Sequence, residues 1–311
     1  MEVSILLAEQ IMAMFLMGFL GFLIVKRKLL ASEDSRILSK ICVYICIPCM
    51  IIDSFQIDSS PEMMSGLLLA GGVSVVYHII FILCCRMLQK PLGLNEVERA
   101  SVIYSNVGSM VVPLVSFVFG TEWVVYLCTF IIVQTILIWT HGKALICHNG
   151  ERMEWKKILC NMNIIAILVG LFLFFTQLPL PEVLGSVVER MGNMLGPAGM
   201  LVVGMIIGDA DLAEVFRNKR VYFICFLRLV VCPVLSILFL FVSRAFYIHP
   251  EAHIILEVVL LAGASSSAST VTQMVQVFGG DAKYASIINV MSVILCIFTM
   301  PMITFLYEMM I

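Results

Sequence analysis

The chain has 311 residues, 61% hydrophobic and only 13% charged, with a mean hydropathy of +1.05. Soluble domains carry roughly 45–50% apolar and about 25% charged residues, so a water-soluble globule is excluded and a polytopic membrane protein indicated. A formal charge of −2 leaves no basic surface for nucleic acid.

One bilayer crossing takes about 20 apolar residues. Ten such runs follow one another along the chain, near residues 3–25, 36–56, 63–86, 99–120, 122–141, 158–177, 183–208, 219–243, 252–279 and 282–307. Their length and lack of period-2 alternation exclude a β-barrel. The first run opens on MEVSILLAEQ, without Lys or Arg, and is followed by Lys26-Arg27-Lys28. That charge order is the reverse of a signal peptide's, so a retained first helix is expected.

With the N-terminus placed outside, every Lys and Arg except Arg190, Arg228 and Arg244 falls on inner loops or inner helix ends. The positive-inside rule then puts both termini outside a cytoplasmic membrane, with an even number of crossings. Most cysteines lie within the apolar runs as small apolar residues. Cys46-Ile-Pro-Cys49 has redox-motif spacing, but inside an apolar helix it reads as packing around Pro48. Neither Cys84-Cys85 nor His141 and His148 beside Cys147 reads as a metal site, and no cofactor is expected.

Two stretches repeat. NVGSMVVPLVSFVFGTEWVVY over 106–126 parallels SSSASTVTQMVQVFGGDAKYA over 265–285: each is a polar opening, an apolar half-helix, Phe-Gly, one residue and an acid. Pro48 and Pro197 correspond at a similar offset. Two five-helix halves are therefore expected, 1–141 and 158–311, joined by a cytoplasmic loop over 142–157. An odd number of crossings per half forces opposite orientations, the inverted-repeat plan of many secondary transporters. The fourth run carries Ser105, Asn106, Gly108, Ser109 and Pro113; the ninth carries Ser265, Ser266, Ser267, Ser269, Thr270, Thr272 and Gln273. Ser, Thr and Asn can occupy freed backbone groups, and non-helical backbone at membrane depth persists only where it is buried in protein or lines a cavity. Half-helix N-termini then offer partial positive charge to an anion. The plainer reading of one such stretch is close helix packing; two, at matching places, favour a pair of broken, crossing helices.

At this point the chain resembles the auxin efflux carrier family, including its bacterial malate and malonate permease-like members. The resemblance rests on GFLGFLIVKRKLLASEDSRILSKICVYICIPCMIIDSF over 18–55, NVGSMVVPLVSFVFG in the fourth run and FGGDAKYASIINVMSVILCIFTMPMI near the end. It implies an all-α, ten-helix inverted repeat of 5+5 in which helices 4 and 9 cross at unwound segments. Helices 1, 2, 6 and 7 would form a scaffold, through which a homodimer would assemble. The chain departs from the family in lacking a proline at the ninth-helix crossing, where six hydroxyl side chains stand instead.

Ionisable residues within membrane segments are costly and each needs an account. Asp53 and Glu257 read either as interfacial or as coupling-ion sites. Arg228, roughly 13 Å into its helix at 1.5 Å per residue, reads either as a structural partner for an acid or backbone carbonyls, or as a counter-charge for an anion. Gln134 and Asn289 read as interhelical hydrogen-bond formers. The function expected is secondary transport of a small organic anion, a carboxylate, by alternating access. Ser105, Asn106, Ser109, Pro113, Ser265, Ser266, Ser267, Ser269, Thr270, Gln273 and Arg228 would form the binding site. The alternative is an intramembrane enzyme. It is disfavoured because His78 is the one histidine well inside a helix and no HExxH or GxSxG frame is present.

Overall fold

Caps and prolines decide where the apolar runs begin, bend and stop. The computed structural model describes residue 13 and residues 16–56, 60–146, 160–209, 216–278 and 280–310. Twelve helical segments are described: α1 (Leu16–Lys26), α2 (Ser32–Ser54), α3 (Pro61–Leu92), α4 (Glu96–Ile103), α5 (a π turn, Val107–Val111, running into Val112–Val118), α6 (Thr121–Ile146), α7 (Met162–Thr176), α8 (Glu182–Gly208), α9 (Lys219–Ser243), α10 (Ala252–Ala264), α11 (Ser269–Phe278) and α12 (Ala282–Met310). Six of them, α2, α3, α6, α8, α9 and α12, are long and apolar enough to cross a bilayer unbroken.

Ten crossings were expected, the fourth and ninth of them broken; six unbroken spans are described, for two reasons. The fourth run is divided into α4 and α5, and the ninth into α10 and α11. The first and sixth runs begin among residues outside the described set. The expected 142–157 loop also starts later, because α6 continues to Ile146; residues 147–157 lie outside the described set.

Polar side chains close the helix ends. Ser60 caps α3, its Oγ accepting the Met63 N–H at 3.0 Å, and Pro61 takes the first helical position, where no N–H is needed. Gly93 ends α3 with φ 59°, a left-handed conformation that glycine adopts without a Cβ clash. Asn95 and Glu98 then form a capping box at the start of α4, both bonds 2.9 Å.

Three prolines sit two residues beyond a π turn: Pro48 after Cys42–Cys46, Pro113 after Val107–Val111 and Pro233 after Leu227–Val231. A proline ring inside a helix lacks its N–H and collides with the carbonyl four residues back. That carbonyl lies within the π turn each time, and the wider turn gives the ring room.

Packing divides the segments into two groups. α2 packs mainly on α7 and α8, while α3 packs mainly on α6 and α10, and α12 on α9 and α11. α1 meets α8 backbone to backbone: a Cβ on Gly204 would run into the Gly18 carbonyl oxygen, and one on Gly21 into that of Leu201. Small residues permit this close approach, the usual basis of helix association where lipid leaves no hydrophobic driving force.

Candidate functional site

The two breaks meet. After α4 the chain is unwound over Tyr104–Asn106, and after α10 over Ser265–Ala268; Ser105 and Ser267 pair as an isolated antiparallel bridge. The Asn106 N–H donates to the Ser266 carbonyl and the Ala268 N–H to the Tyr104 carbonyl, each at 2.9 Å. Unwound backbone away from water must find partners; here each break supplies them to the other. The ninth run thus breaks without a proline.

Side chains satisfy the remainder. The Gln134 amide on α6 embraces Ser105: Oε1 accepts its N–H and Nε2 donates to its carbonyl, both at 2.8 Å. On α12, Asn289 Nδ2 donates to the Ser267 carbonyl at 2.7 Å, and Ser292 Oγ accepts the Ser267 N–H at 3.0 Å. Each break is therefore held by polar side chains from the helix that follows it.

Arg228 ties the breaks together. Its Nε donates to the Ser265 carbonyl and Nη1 to the Val102 carbonyl, each at 3.0 Å, while Nη2 donates to Ser105 Oγ. Its guanidinium also lies over the Phe81 ring, 5.5 Å from the centroid. At 1% exposure it is the largest fully buried side chain described. The carbonyl-partner reading is the one seen.

The predicted residues separate by burial. Ser105, Pro113, Ser265, Ser266 and Ser267 are buried, with the Ser266 hydroxyl donating to Met110 Sδ at 3.5 Å. Asn106 and Thr270 are partly exposed, and Ser269 and Gln273 are exposed. The Ser109 side chain lies outside the described part. Asp53 is half-buried on α2, with Glu189 of α8 as its charged neighbour, while Glu257 is buried on α10. His78 packs on Phe130 at 4.6 Å and shares its Nδ1 with the Ser74 carbonyl at 2.7 Å.

Beside the breaks lies a cleft of about 320 Å³ between α1 and α8 on one side and α5 and α12 on the other. Gly18, Phe22, Met200, Gly204, Met110 and Met300 contribute to its almost wholly apolar wall. It reaches the breaks through Met110 and through Cys296, whose thiol points to the Ala264 carbonyl at 3.7 Å.

Residues 6–304, nearly the whole chain, match the family described as membrane transport protein, that of the auxin efflux carriers. The chain belongs to this family. It is a membrane transporter by that membership and by its apolar helices. No curated protein matches the chain.

In this transporter one further polar cluster escaped the sequence reading. Glu98 on α4, 2% exposed, is gripped by Arg220 of α9 at 2.7 and 2.9 Å and by the Tyr284 hydroxyl of α12 at 2.8 Å. Arg220 also donates to the Leu92 and Gly93 carbonyls. Glu98 stands just before the fourth run. Burial acts to raise its carboxyl, but Arg220, the Asn95 backbone and Tyr284 outweigh it and hold the group below the ordinary carboxylate range. Gln134 and Asn289 were visible as polar residues in apolar helices, but not their partners. The signal was in the repeat: shifted by its offset, Gln134 lands beside Asn289 and Ser292.

Proposed function

We propose that the chain is a secondary transporter of a small organic anion, a carboxylate, working by alternating access. The twelve segments count as ten crossings once α4–α5 and α10–α11 are taken as two broken helices, in inverted halves 1–141 and 158–311. The observation that carries this reading is the antiparallel pairing of the two breaks at Ser105 and Ser267. It leaves α5 and α11 starting side by side, each with the positive end of its dipole at the crossing.

Within that site the roles divide. The buried Ser105, Ser265, Ser266, Ser267 and Arg228 hold the breaks and Pro113 shapes α5, while Asn106, Ser269, Thr270 and Gln273 offer polar groups to a solute. The apolar cleft beside them takes the carbon part. Membership of a transport family weighs against the intramembrane-enzyme alternative.

The test is flux into proteoliposomes across a panel of mono- and dicarboxylates, for the wild type and Asn106→Ala. Uptake of at least one carboxylate, reduced tenfold or more in the variant, is expected. A well-folded Asn106→Ala protein with wild-type flux would remove α5 from the site, and solute turnover without flux would favour an enzyme.

A further inference from the structure

Glu257 lies on α10, eight residues before the break at Ser265. An acid on this helix that served only as an interfacial anchor would be exposed to water or paired with a cation. It is neither. The residue is 8% exposed, and its Oε1 is buried without a hydrogen-bond partner. No ion pair reaches it among the described residues.

The surroundings add no compensating charge. From α12 come Tyr307 and Glu308, both within electrostatic reach of Glu257. The Tyr307 hydroxyl donates to the His253 carbonyl, one turn before Glu257, at 2.5 Å. From α3 comes Tyr77, fully buried, its hydroxyl also without a partner and its ring beside Gly263 of α10. Tyr126 of α6 stands near Ile255 by way of Gly66. The turn Ala245–Tyr247 and its cap add Tyr247 and Arg244, both exposed and neither paired with Glu257; His249 is bonded to the Glu62 carbonyl of α3, and α5 has no titratable side chain. On α9, Arg228 is committed to Ser265, Val102 and Ser105. Lys143 of α6 and Arg86, Lys90 and Lys283 of α3 and α12 sit at the opposite helix ends.

A buried carboxylate with no cation and an unbonded oxygen is expensive; the neutral acid avoids that cost. Ionising it requires water at that oxygen, which the packing around α10 excludes in this conformation. That same half-helix ends in the break, so the proton and the break share one moving part.

We infer that Glu257 is a proton-binding site whose occupancy is linked to movement of the transported anion. The inference rests on the transport reading above. The step is a simple exchange: Glu257 takes one proton from water on one side of the membrane and returns one to water on the other, with no other bond altered.

Two measurements test it. Infrared spectra of the reconstituted protein near neutral pH should contain a protonated-carboxyl band that is missing from Glu257→Gln, the neutral isostere. A wild-type minus variant difference without that band overturns the proposal. In proteoliposomes, an imposed pH gradient should drive carboxylate accumulation in the wild type. Accumulation should fall at least tenfold in Glu257→Gln and return in Glu257→Asp. A gradient response that survives in Glu257→Gln, or is absent from an actively transporting wild type, also overturns it. If no carboxylate moves at all, the transport reading fails, while the infrared band still decides whether Glu257 binds a proton.

Discussion

Replacing Gln134 by Leu roughly keeps the side-chain size but removes both bonds to Ser105, Oε1 to the N–H and Nε2 to the carbonyl, each 2.8 Å. Ser105 has 1% exposure and extended backbone, so no helical neighbour can take up the freed groups. An unsatisfied buried donor or acceptor costs about 1–3 kcal/mol, which sets the loss at about 2–6 kcal/mol for the two. Polar contacts between membrane helices average only about 0.6 kcal/mol, because the unfolded chain in the bilayer also finds partners; a backbone pair outside any helix should exceed that value clearly. Gln134→Glu is the sharper control. Its carboxyl still accepts the N–H, and donates to the carbonyl only when protonated, so its stability should approach wild type as pH is lowered. Thermal unfolding in detergent, followed by tryptophan fluorescence at several pH values, gives the comparison. A Gln134→Leu protein as stable as wild type would refute the clamp.

Asn289→Leu removes only the Ser267 carbonyl's partner and should cost about 1–3 kcal/mol by the same unfolding assay. Glu98, whose folded carboxyl lies below its ordinary value of 4.5, contributes stability that is full above that value. The contribution is lost as pH falls from there through the folded value; Arg220→Met should flatten this acid dependence and cost about 1–3 kcal/mol, below a fully buried pair's 3–5, because the Arg220 side chain is 38% exposed. Gly204→Val places a branched side chain against the Gly18 carbonyl and should abolish monodisperse expression, whereas the same change at Gly72, where a Cβ meets nothing, should be tolerated. Cysteine labels at Ser243 should react from outside and at Ser32 from inside; reaction of both from one side would overturn the inverted halves.

Most helices were legible because their apolar runs are long; their ends were less so, since hydropathy stops the third run at 86 whereas the helix continues through its polar last turn to Leu92, before Gly93. The breaks were legible as polar stretches, and their repetition pointed to a crossing. Their mechanism was not. The hydroxyl run Ser265-Ser266-Ser267 drew attention to side chains, yet the pairing is made by backbone, and the breaks are closed by Gln134, Asn289 and Ser292 from other helices. Arg228 could be seen as a buried cation, but its acceptors are carbonyls at positions 102 and 265, which no local pattern connects to it. The π turns ahead of Pro48, Pro113 and Pro233 depend on where each ring meets the carbonyl behind it, a geometric matter that the residue order alone leaves open.

The Arg228 bonds also constrain how such a molecule could alternate. One guanidinium holds the Ser265 and Val102 carbonyls together, the bridge joins Ser105 to Ser267, and Glu98 joins α4 to α9 and α12 through Arg220 and Tyr284. Separating the two breaks would strip a buried guanidinium of its acceptors and leave several backbone groups unpaired, at about 1–3 kcal/mol for each group. Moving them as one body breaks none of these bonds. The boundary open to such movement is the one between α1 and α8 on one side and α5 and α12 on the other, where the cleft lies. That boundary is lined by Met110, Met200 and Met300, flexible side chains that repack readily, and its apolar wall has few hydrogen bonds to break. Under the proposed alternating access, the polar contacts therefore belong inside the moving body and the apolar cleft at its sliding face. The Arg228→Gln variant separates this from direct charge recognition. A clamp predicts lower stability and equal loss of affinity for a carboxylate and its neutral amide; a counter-charge predicts a loss confined to the carboxylate. An intact fold with a loss confined to the carboxylate would return Arg228 to the binding site.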